Sequence, residues 1–378
     1  RGAIILREGE SLMKTIFPDY KTGMLNLMAS LMQHYDVKTP YSTHPIVDKL
    51  LAGKYDNVFL VLIDGMGSKI IEPRLPKDSF LRKNLVTTMT SVYPPTTAAA
   101  TTIFDSALAP ISSGWLGWFE YFKEVDDYRI LFLNQSYYSK INQKDNLIDQ
   151  AIGYEKVKDK IERNGHGYRR IMPGFEPGGA KTLEEFSQQI IDASHLSHDS
   201  FIYAYWDQFD TLMHQVGPDD QKVKESLLYI DRIMADTIKQ VKKNDLVLII
   251  ADHGQLNTKT NDLRQHGDLC ATLLRRPNIE ARTTAFFIKP ERKAEFERLF
   301  RRYYPKFDLM TFQEFINKGY LGDFRMRPRV KDFLGDYVSL ANDDENLMYG
   351  TSTLIGQHSG QTELEMMIPL IAIRGQEK

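Results

Sequence analysis

The chain has 378 residues, of which 42% are hydrophobic and 26% are charged, so a wholly disordered chain is excluded and one large domain or two domains are expected. Its 48 Lys and Arg residues balance 50 Asp and Glu residues, which gives no electrostatic case for binding nucleic acid. No apolar run reaches the roughly 20 residues of a membrane-spanning helix, so no membrane partner is predicted. The single cysteine, Cys270, predicts a cytoplasmic protein, the alternative being a secreted chain without disulfides whose export signal was removed upstream.

Three near-continuous apolar segments predict strands that are covered on both faces, as in a parallel sheet. Each of them ends in acidic residues: Asn57–Ile63 precedes Asp64, Phe201–Trp206 precedes Asp207 and Asp210, and Asp245–Ala251 precedes Asp252. Ligands of open α/β sheets lie at the carboxyl ends of the strands. We therefore expect the three acidic strand ends to converge at one edge of one sheet.

The segments between these strands predict helices. Thr182-Leu183-Glu184-Glu185 has the form of a capping box ahead of the second strand. Lys222–Lys242 repeats apolar residues at spacings of three and four, which is typical of an amphipathic helix. Because helices alternate with strands, the predicted fold class is α/β, with a mostly parallel central sheet flanked by helices.

The domain organisation is predicted to be a core with one insertion. Residues 1–275 and 351–378 are assigned to the core, whose last strand is Met366–Ile373. Residues 276–350 are assigned to a small inserted α+β subdomain, because a strand at Thr283–Ile288 and a helix at Arg292–Arg302 interrupt the pattern before that last strand.

The sequence offers six oxygen or nitrogen ligands for metals at or near these strand ends: Asp64, Asp210, His214, Asp252, His253 and His358. Asp210 and His214 are four residues apart and therefore share one helical face. Six ligands are enough for two metals with three protein ligands each, and such sites clamp the attacking and leaving oxygens of an in-line displacement. Each residue alone is more often a turn, cap or surface residue, so the prediction depends on the whole set.

A candidate nucleophile lies in Tyr93-Pro94-Pro95-Thr96-Thr97, where a diproline turn precedes small residues that start a predicted helix. A hydroxyl at that point lies beside unpaired backbone N–H groups and the positive end of the helix, which suits a phosphate. A metal lowers the pKa of such a hydroxyl and makes it an alkoxide able to attack phosphorus. Chemistry alone does not separate Thr96 from Thr97, and the alternative is a merely structural helix start.

The order of five motifs along the chain resembles the alkaline phosphatase superfamily, specifically its type I phosphodiesterase/nucleotide pyrophosphatase branch: Asp64-Gly65, Tyr93-Pro94-Pro95-Thr96-Thr97, Asp210-x-x-x-His214, Asp252-His253-Gly254 and Gly356-x-His358-Ser359-Gly360. The resemblance covers about residues 55–260 and 350–375. It implies two divalent metal ions, with zinc preferred and manganese or iron as alternatives. One ion would be bound by Asp64, Thr97, Asp252 and His253, and the other by Asp210, His214 and His358. Thr97 matches the family nucleophile, which forms a phospho-threonine intermediate that water hydrolyses.

One departure from the family pattern follows Thr97. Diesterases of this branch usually carry an Asn after the threonine, which donates to a phosphate oxygen, whereas this chain has Ala98, Ala99 and Ala100 in that stretch. Another donor, such as the Thr97 backbone N–H, is needed at that position. A cluster of aromatic residues further on is predicted mainly to pack a lid or the core, with stacking on a nucleobase as the alternative: Trp115, Trp118, Phe119, Tyr121 and Phe122.

The predicted function is a two-metal-dependent hydrolase of small phosphoric esters through a phospho-threonine intermediate, first of all a phosphodiesterase or nucleotide pyrophosphatase. A nucleotide is among the candidate substrates. The alternatives are a phosphomonoesterase or phosphonate hydrolase of the same superfamily, and a catalytically silent metal-binding protein on this scaffold. Nothing in the sequence sets the oligomeric state.

Overall fold

The computed structural model describes residues 13–145 and 147–375, and its central feature is a six-stranded sheet. Residues 1–12, which the predicted core includes, lie outside the described residues. In spatial order, the strands of this core sheet are Leu85–Thr90, Met367–Arg374, Asp245–Ile250, Asn57–Ile63, Ser200–Trp206 and Gly167–Ile171. The last four are mutually parallel, and only Met367–Arg374 runs antiparallel to its neighbours. The predicted mostly parallel sheet is confirmed.

The three strands predicted to end in acidic residues lie side by side at the centre of this sheet. Every residue of Asn57–Ile63, Ser200–Trp206 and Asp245–Ile250 is buried. Side chains of alternate residues point to opposite faces of a sheet, so a buried residue at every position means that both faces are covered. Because the three strands are parallel neighbours, their carboxyl ends meet at one edge.

Helices connect and cover the strands of the core sheet. The helices of six residues or more in this part of the chain are Met24–His34, Pro45–Leu51, Ser68–Arg74, Thr97–Ser106, Leu147–Ile152, Val157–Arg163, Leu183–Leu196, Gln208–Val216 and Gln221–Ile238. Single turns lie at Phe80–Lys83, Pro110–Ser113, Gly267–Cys270 and Glu363–Met366. Thr182 caps its helix as predicted, accepting from the Glu185 N–H at 3.2 Å, but the Glu185 carboxylate accepts from the Lys181 N–H instead of completing the box.

A second, antiparallel sheet of seven strands lies beside the core. In spatial order its strands are Phe307–Thr311, Tyr337–Ala341, Thr283–Ile288, Leu273–Ile279, Phe119–Phe122, Asp127–Ile130 and Gln135–Ser136. The helices Lys293–Tyr303, Phe312–Asn317 and Arg329–Leu334 accompany it. Two further strand pairs join Lys259–Asp262 to Glu345–Met348 and Leu256–Asn257 to Gly356–Gln357.

The second sheet combines strands from two distant parts of the chain. The predicted inserted subdomain, 276–350, supplies most of it, but three strands between residues 119 and 136 pair onto it through Ile279 and Phe119. An edge strand with unpaired N–H and C=O groups gains hydrogen bonds from such pairing. The division into a core and an inserted subdomain remains a prediction, with these three strands as an addition to the sheet.

Within residues 13–145 and 147–375, every helix is too short or too polar to span a lipid bilayer. The cytoplasmic location inferred from the single cysteine remains a prediction.

Candidate metal centre

Three carboxylates converge at the carboxyl edge of the core sheet. Asp64 directly follows the strand Asn57–Ile63, and Asp252 lies two residues after the end of the adjacent parallel strand Asp245–Ile250. Asp210 lies in the first turn of the helix that follows the next strand, Ser200–Trp206. Their exposed fractions are 2%, 0% and 8%, respectively. Like charges in so small a buried space repel each other and call for cations.

Thr97 faces this cluster from the first position of the helix Thr97–Ser106. Its hydroxyl oxygen lies 3.2 Å from Nε2 of His253 and 3.4 Å from Oδ2 of Asp64. The neighbouring Thr96 instead donates its hydroxyl to Oε1 of Glu280 at 2.6 Å. The structure therefore separates two threonines that are chemically equivalent in the sequence, because only Thr97 has its hydroxyl beside the acidic cluster.

The three histidines are oriented by one repeated device, a hydrogen bond from Nδ1 to a backbone carbonyl oxygen. The pairs are His214 with Gly356 at 2.7 Å, His253 with Gly254 at 3.1 Å, and His358 with Pro95 at 3.1 Å. A neutral imidazole that carries its proton on Nδ1 presents a lone pair at Nε2. Such second contacts fix the tautomer and the ring orientation of metal-binding histidines.

The carboxylates contain oxygen atoms that the described residues leave unpaired. Oδ1 of Asp64 and Oδ2 of Asp252 are buried and accept no hydrogen bond, although buried polar atoms of native proteins are nearly always paired. A cation would satisfy both oxygens. With imidazole nitrogens beside carboxylate oxygens, the donor set fits zinc, and manganese or iron would accept it too.

The ligand atoms form two overlapping groups of three, and within each group all three atoms lie within 4.8 Å of one another. One group is Asp64, Asp252 and His253, and the other is Asp210, His253 and His358. The predicted division differs in giving His253 to the first group alone and His214 to the second. The His253 ring stacks on the His358 ring with centroids 3.7 Å apart, which explains why His253 falls within reach of both groups. His214 lies next to this arrangement, with its ring 5.2 Å from that of His358 and Nε2 3.1 Å from Oδ2 of Asp210. All seven residues predicted for the site are thus brought together.

Burial and neighbouring charges shift the pKa values of these groups, acting together on Asp64 and His358 and against each other on Asp210 and His214. Burial, reinforced by the carboxylates of Asp252 and Asp210, raises the pKa of Asp64 well above its usual value. Burial also acts on Asp210, but the His214 charge outweighs it and lowers the Asp210 pKa. For His214, burial is overcome by Asp210, which raises the pKa to about 9. Burial lowers the pKa of His358 well below its usual value, and His253 adds to this effect.

The Asp210–His214 pair predicts a specific pH dependence of stability in metal-free protein. Because the His214 pKa rises from 6.5 to about 9 on folding, its contribution is fully present below pH 6.5 and is lost as the pH passes 9. We expect the free energy of unfolding of the wild type to fall by about 2–3 kcal/mol more than that of His214→Ala between pH 6 and pH 10. Urea unfolding of the metal-stripped proteins measures this difference, and parallel pH profiles would contradict it.

Three supporting side chains were not predicted from the sequence. Tyr205 donates its hydroxyl to Oδ2 of Asp64, and Gln255 donates to Oδ1 of Asp210. The position of Gln255, directly after Asp252-His253-Gly254, is a signal that could have suggested it. Glu280 lies beside Thr96, but it is far from every motif in the sequence, and no local pattern indicates it.

A cavity of about 440 Å³ opens beside Thr97. One wall is aromatic and comes from the second sheet and its loops, through Trp118, Phe119, Tyr137 and Tyr138. Phe119 stacks on Tyr137 with ring centroids 3.7 Å apart. The aromatic residues expected mainly to pack a lid or the core therefore divide: Phe122 is buried against Phe333, whereas Trp118 and Phe119 line the cavity.

Comparison with known proteins adds an independent view of the chain. A family model described as type I phosphodiesterase/nucleotide pyrophosphatase matches residues 58–306. Murine ectonucleotide pyrophosphatase/phosphodiesterase 5 superposes with a TM-score of 0.64 at 18% identity, covering 84% of this chain and 87% of that one. Another solved structure is an inactive threonine-to-alanine variant of the murine protein in complex with AMP, with a TM-score of 0.64 at 17% identity and the same coverage. Phosphonoacetate hydrolase from Sinorhizobium meliloti 1021, in complex with phosphonoformate, superposes with a TM-score of 0.60 at 11% identity, covering 85% and 90%. No curated protein matches by sequence. The structural matches confirm the predicted fold class.

Proposed function

Because the chain belongs to the type I phosphodiesterase/nucleotide pyrophosphatase family, we propose that it hydrolyses phosphoric diesters or nucleotide pyrophosphates with two divalent metal ions and Thr97 as nucleophile. The observation that supports this best is the position of the Thr97 hydroxyl, between His253 and Asp64 and beside two carboxylate oxygens that accept no hydrogen bond from the described residues. Seven residues would hold the metals: Asp64, Thr97, Asp252 and His253 on one side, and Asp210, His214 and His358 on the other. Zinc is the preferred metal.

In the proposed reaction, two displacements at phosphorus follow each other, and the residues of the site have separate roles in them. Bound metals would supply Lewis-acid stabilisation of negative charge on the attacking and leaving oxygens. The Thr97 oxygen attacks phosphorus, and the leaving alcohol or phosphate departs on the opposite side. The resulting phospho-threonine is then hydrolysed by water, which restores the hydroxyl. Asp64 and His253 are placed to hold the Thr97 hydroxyl in position. A bound metal would lower the pKa of this hydroxyl, so that its proton passes to solvent as the oxygen attacks.

Donors for the non-bridging phosphate oxygens come from the backbone in this proposal. Ala98, Ala99 and Ala100 supply no polar side chain, but the helix Thr97–Ser106 begins at the site and has no side-chain cap. Its first N–H groups have no partner within the helix and point toward an incoming anion. The Thr97 N–H and its neighbours thus take the place of the family Asn.

The test combines metal content with substrate preference. We expect purified protein to contain divalent metal and to hydrolyse a nitrophenyl nucleotide diester faster than nitrophenyl phosphate or phosphonoacetate. A chelator should abolish turnover, because the proposed reaction needs the metals bound beside Thr97. Added zinc should restore turnover. Bound metal without turnover of any phosphoester would support the catalytically silent alternative. Turnover confined to the monoester or to the phosphonate would overturn the diesterase proposal, and the phosphonate hydrolase among the structural neighbours makes the last comparison worthwhile.

A further inference from the structure

Glu280 places a carboxylate in the wall of the cavity beside the proposed nucleophile. Among the described residues that line this cavity, two are acidic, and the other one, Asp210, is paired with His214. Glu280 lies in the turn between the strands Leu273–Ile279 and Thr283–Ile288 of the second sheet. Its position is fixed by two hydrogen bonds to Oε1, from the Thr96 hydroxyl at 2.6 Å and from the Trp118 N–H at 2.8 Å.

The contact with Thr96 keeps the amino end of the helix Thr97–Ser106 open. A threonine at the N-cap position ordinarily accepts a hydrogen bond from an N–H in the first turn. Here the Thr96 hydroxyl donates to Glu280, and the helix has no side-chain cap. The first-turn N–H groups stay available for a phosphoryl group, and Glu280 contacts Thr96, the residue directly before the threonine that would receive it.

The negative charge of Glu280 repels the same phosphoryl group. Burial raises the pKa of Glu280 to about 7, so its carboxylate is mostly ionised at pH 8. It lies in the wall of the same cavity as Thr97 and His214. The exposed Lys140 also lines the cavity, but its ammonium lies over the Tyr137 ring at 4.4 Å, on the aromatic wall. A carboxylate repels a phosphate in proportion to the charge of the phosphate, and this repulsion is strong where water is partly excluded.

We propose that Glu280 is a specificity-determining residue that disfavours doubly charged phosphoryl groups and so selects diesters over monoesters at this centre. The inference rests on the proposed function and extends it to the substrate class. A diester carries one negative charge on its phosphate, whereas a monoester carries nearly two at pH 8. Glu280 therefore discriminates by repulsion, while the open helix end binds the oxygens that both kinds of substrate share.

Glu280→Gln isolates the charge from the hydrogen bonds. The Gln side-chain carbonyl oxygen still accepts from Thr96 and from the Trp118 N–H, so the local structure is retained. In metal-loaded protein at pH 8, we expect E280Q to bind AMP, a dianion, at least tenfold more tightly than the wild type does. Affinity for the methyl ester of AMP, a monoanion, should change less than threefold. The ratio of kcat/KM for nitrophenyl phosphate to that for a nitrophenyl nucleotide diester should rise at least tenfold.

Two further variants separate charge selection from positioning. Glu280→Ala also removes the acceptor for Thr96, and we expect it to lower diester turnover because the released hydroxyl can cap the helix. Asp245→Asn neutralises a buried carboxylate at the opposite end of the core sheet, where it accepts from Asn57 and Ser194, and it should leave the monoester-to-diester ratio unchanged.

Equal effects of E280Q on AMP and on its methyl ester, or no effect on either, would overturn the proposal. The binding comparison does not require turnover. A protein that hydrolyses neither ester would refute the proposed function, while AMP and its methyl ester would still decide the role of Glu280.

Discussion

Thr97→Ala is expected to lower turnover of a nitrophenyl nucleotide diester by about 10⁴-fold or more, because removing a nucleophile abolishes the covalent route and leaves only residual catalysis by the remaining groups. Thr97 contributes one of the ligand atoms of the proposed metals, whereas the carboxylates and imidazoles supply the others. The variant should therefore retain most of its metal. Steady-state kinetics at saturating zinc, with metal content measured on the same sample, gives both quantities.

Thr97→Ser and Thr96→Ala are the matched controls. Serine keeps the hydroxyl at the same position, so T97S should retain far more activity than T97A. Thr96→Ala removes the adjacent hydroxyl, which contacts Glu280 and not the acidic cluster, and should cost much less than T97A. Acid quenching during turnover should trap phosphate on Thr97 in a form that mass spectrometry detects. Wild-type activity in T97A would remove Thr97 from its proposed role.

Arg282→Met is expected to destabilise the metal-free protein by about 3–5 kcal/mol, because it leaves a buried carboxylate without its counter-charge. Arg282 and Glu365 are both fully buried, and the guanidinium donates to the two carboxylate oxygens at 2.6 and 2.8 Å. Glu365 also accepts from the Gly360 N–H at 2.7 Å and from the Thr362 hydroxyl at 2.6 Å. The pair therefore ties the second sheet to the loop that carries His358.

The double variant Arg282→Met/Glu365→Gln tests the cause of that destabilisation. With Gln at position 365, no isolated charge remains, and the double variant should be more stable than R282M alone. Chemical denaturation of wild type, both single variants and the double variant gives the coupling energy. Loss of less than 1 kcal/mol in R282M would contradict the account. A fold that survives R282M but binds zinc more weakly would show that the pair also positions the His358 loop.

The position of the acidic strand ends was predictable from two features, the continuous apolar runs of the strands and the common edge at which parallel strands end. The uninterrupted apolar runs Val58–Ile63 and Leu246–Ile250 indicate buried strands, and neighbouring parallel strands end at one edge. That reasoning places Asp64 and Asp252 correctly without knowledge of any other part of the chain. Asp210 and His214 follow from helical spacing, and their mutual contact agrees with it.

Other features depended on pairing between distant segments. The contact of Ile279 with Phe119 brings the strands between residues 119 and 136 onto the second sheet, and neither segment carries a local pattern that specifies its partner. Glu280 reaches Thr96 only through this arrangement, which explains why sequence reasoning did not identify it. The choice between Thr96 and Thr97 likewise needed coordinates, because both are hydroxyls at the same helix end.

The Nδ1 hydrogen bonds of His214, His253 and His358 determine how the site tolerates amino-acid substitutions. All three acceptors are peptide oxygens, so no replacement of an amino-acid side chain can delete them. Most substitutions therefore leave the proton of each ring on Nδ1. Only an altered chain path would disturb it, as at Gly356, where any larger residue would collide with the Met213 carbonyl and shift the acceptor of His214. Evolution can thus remodel the cavity walls freely while the imidazoles keep their orientation.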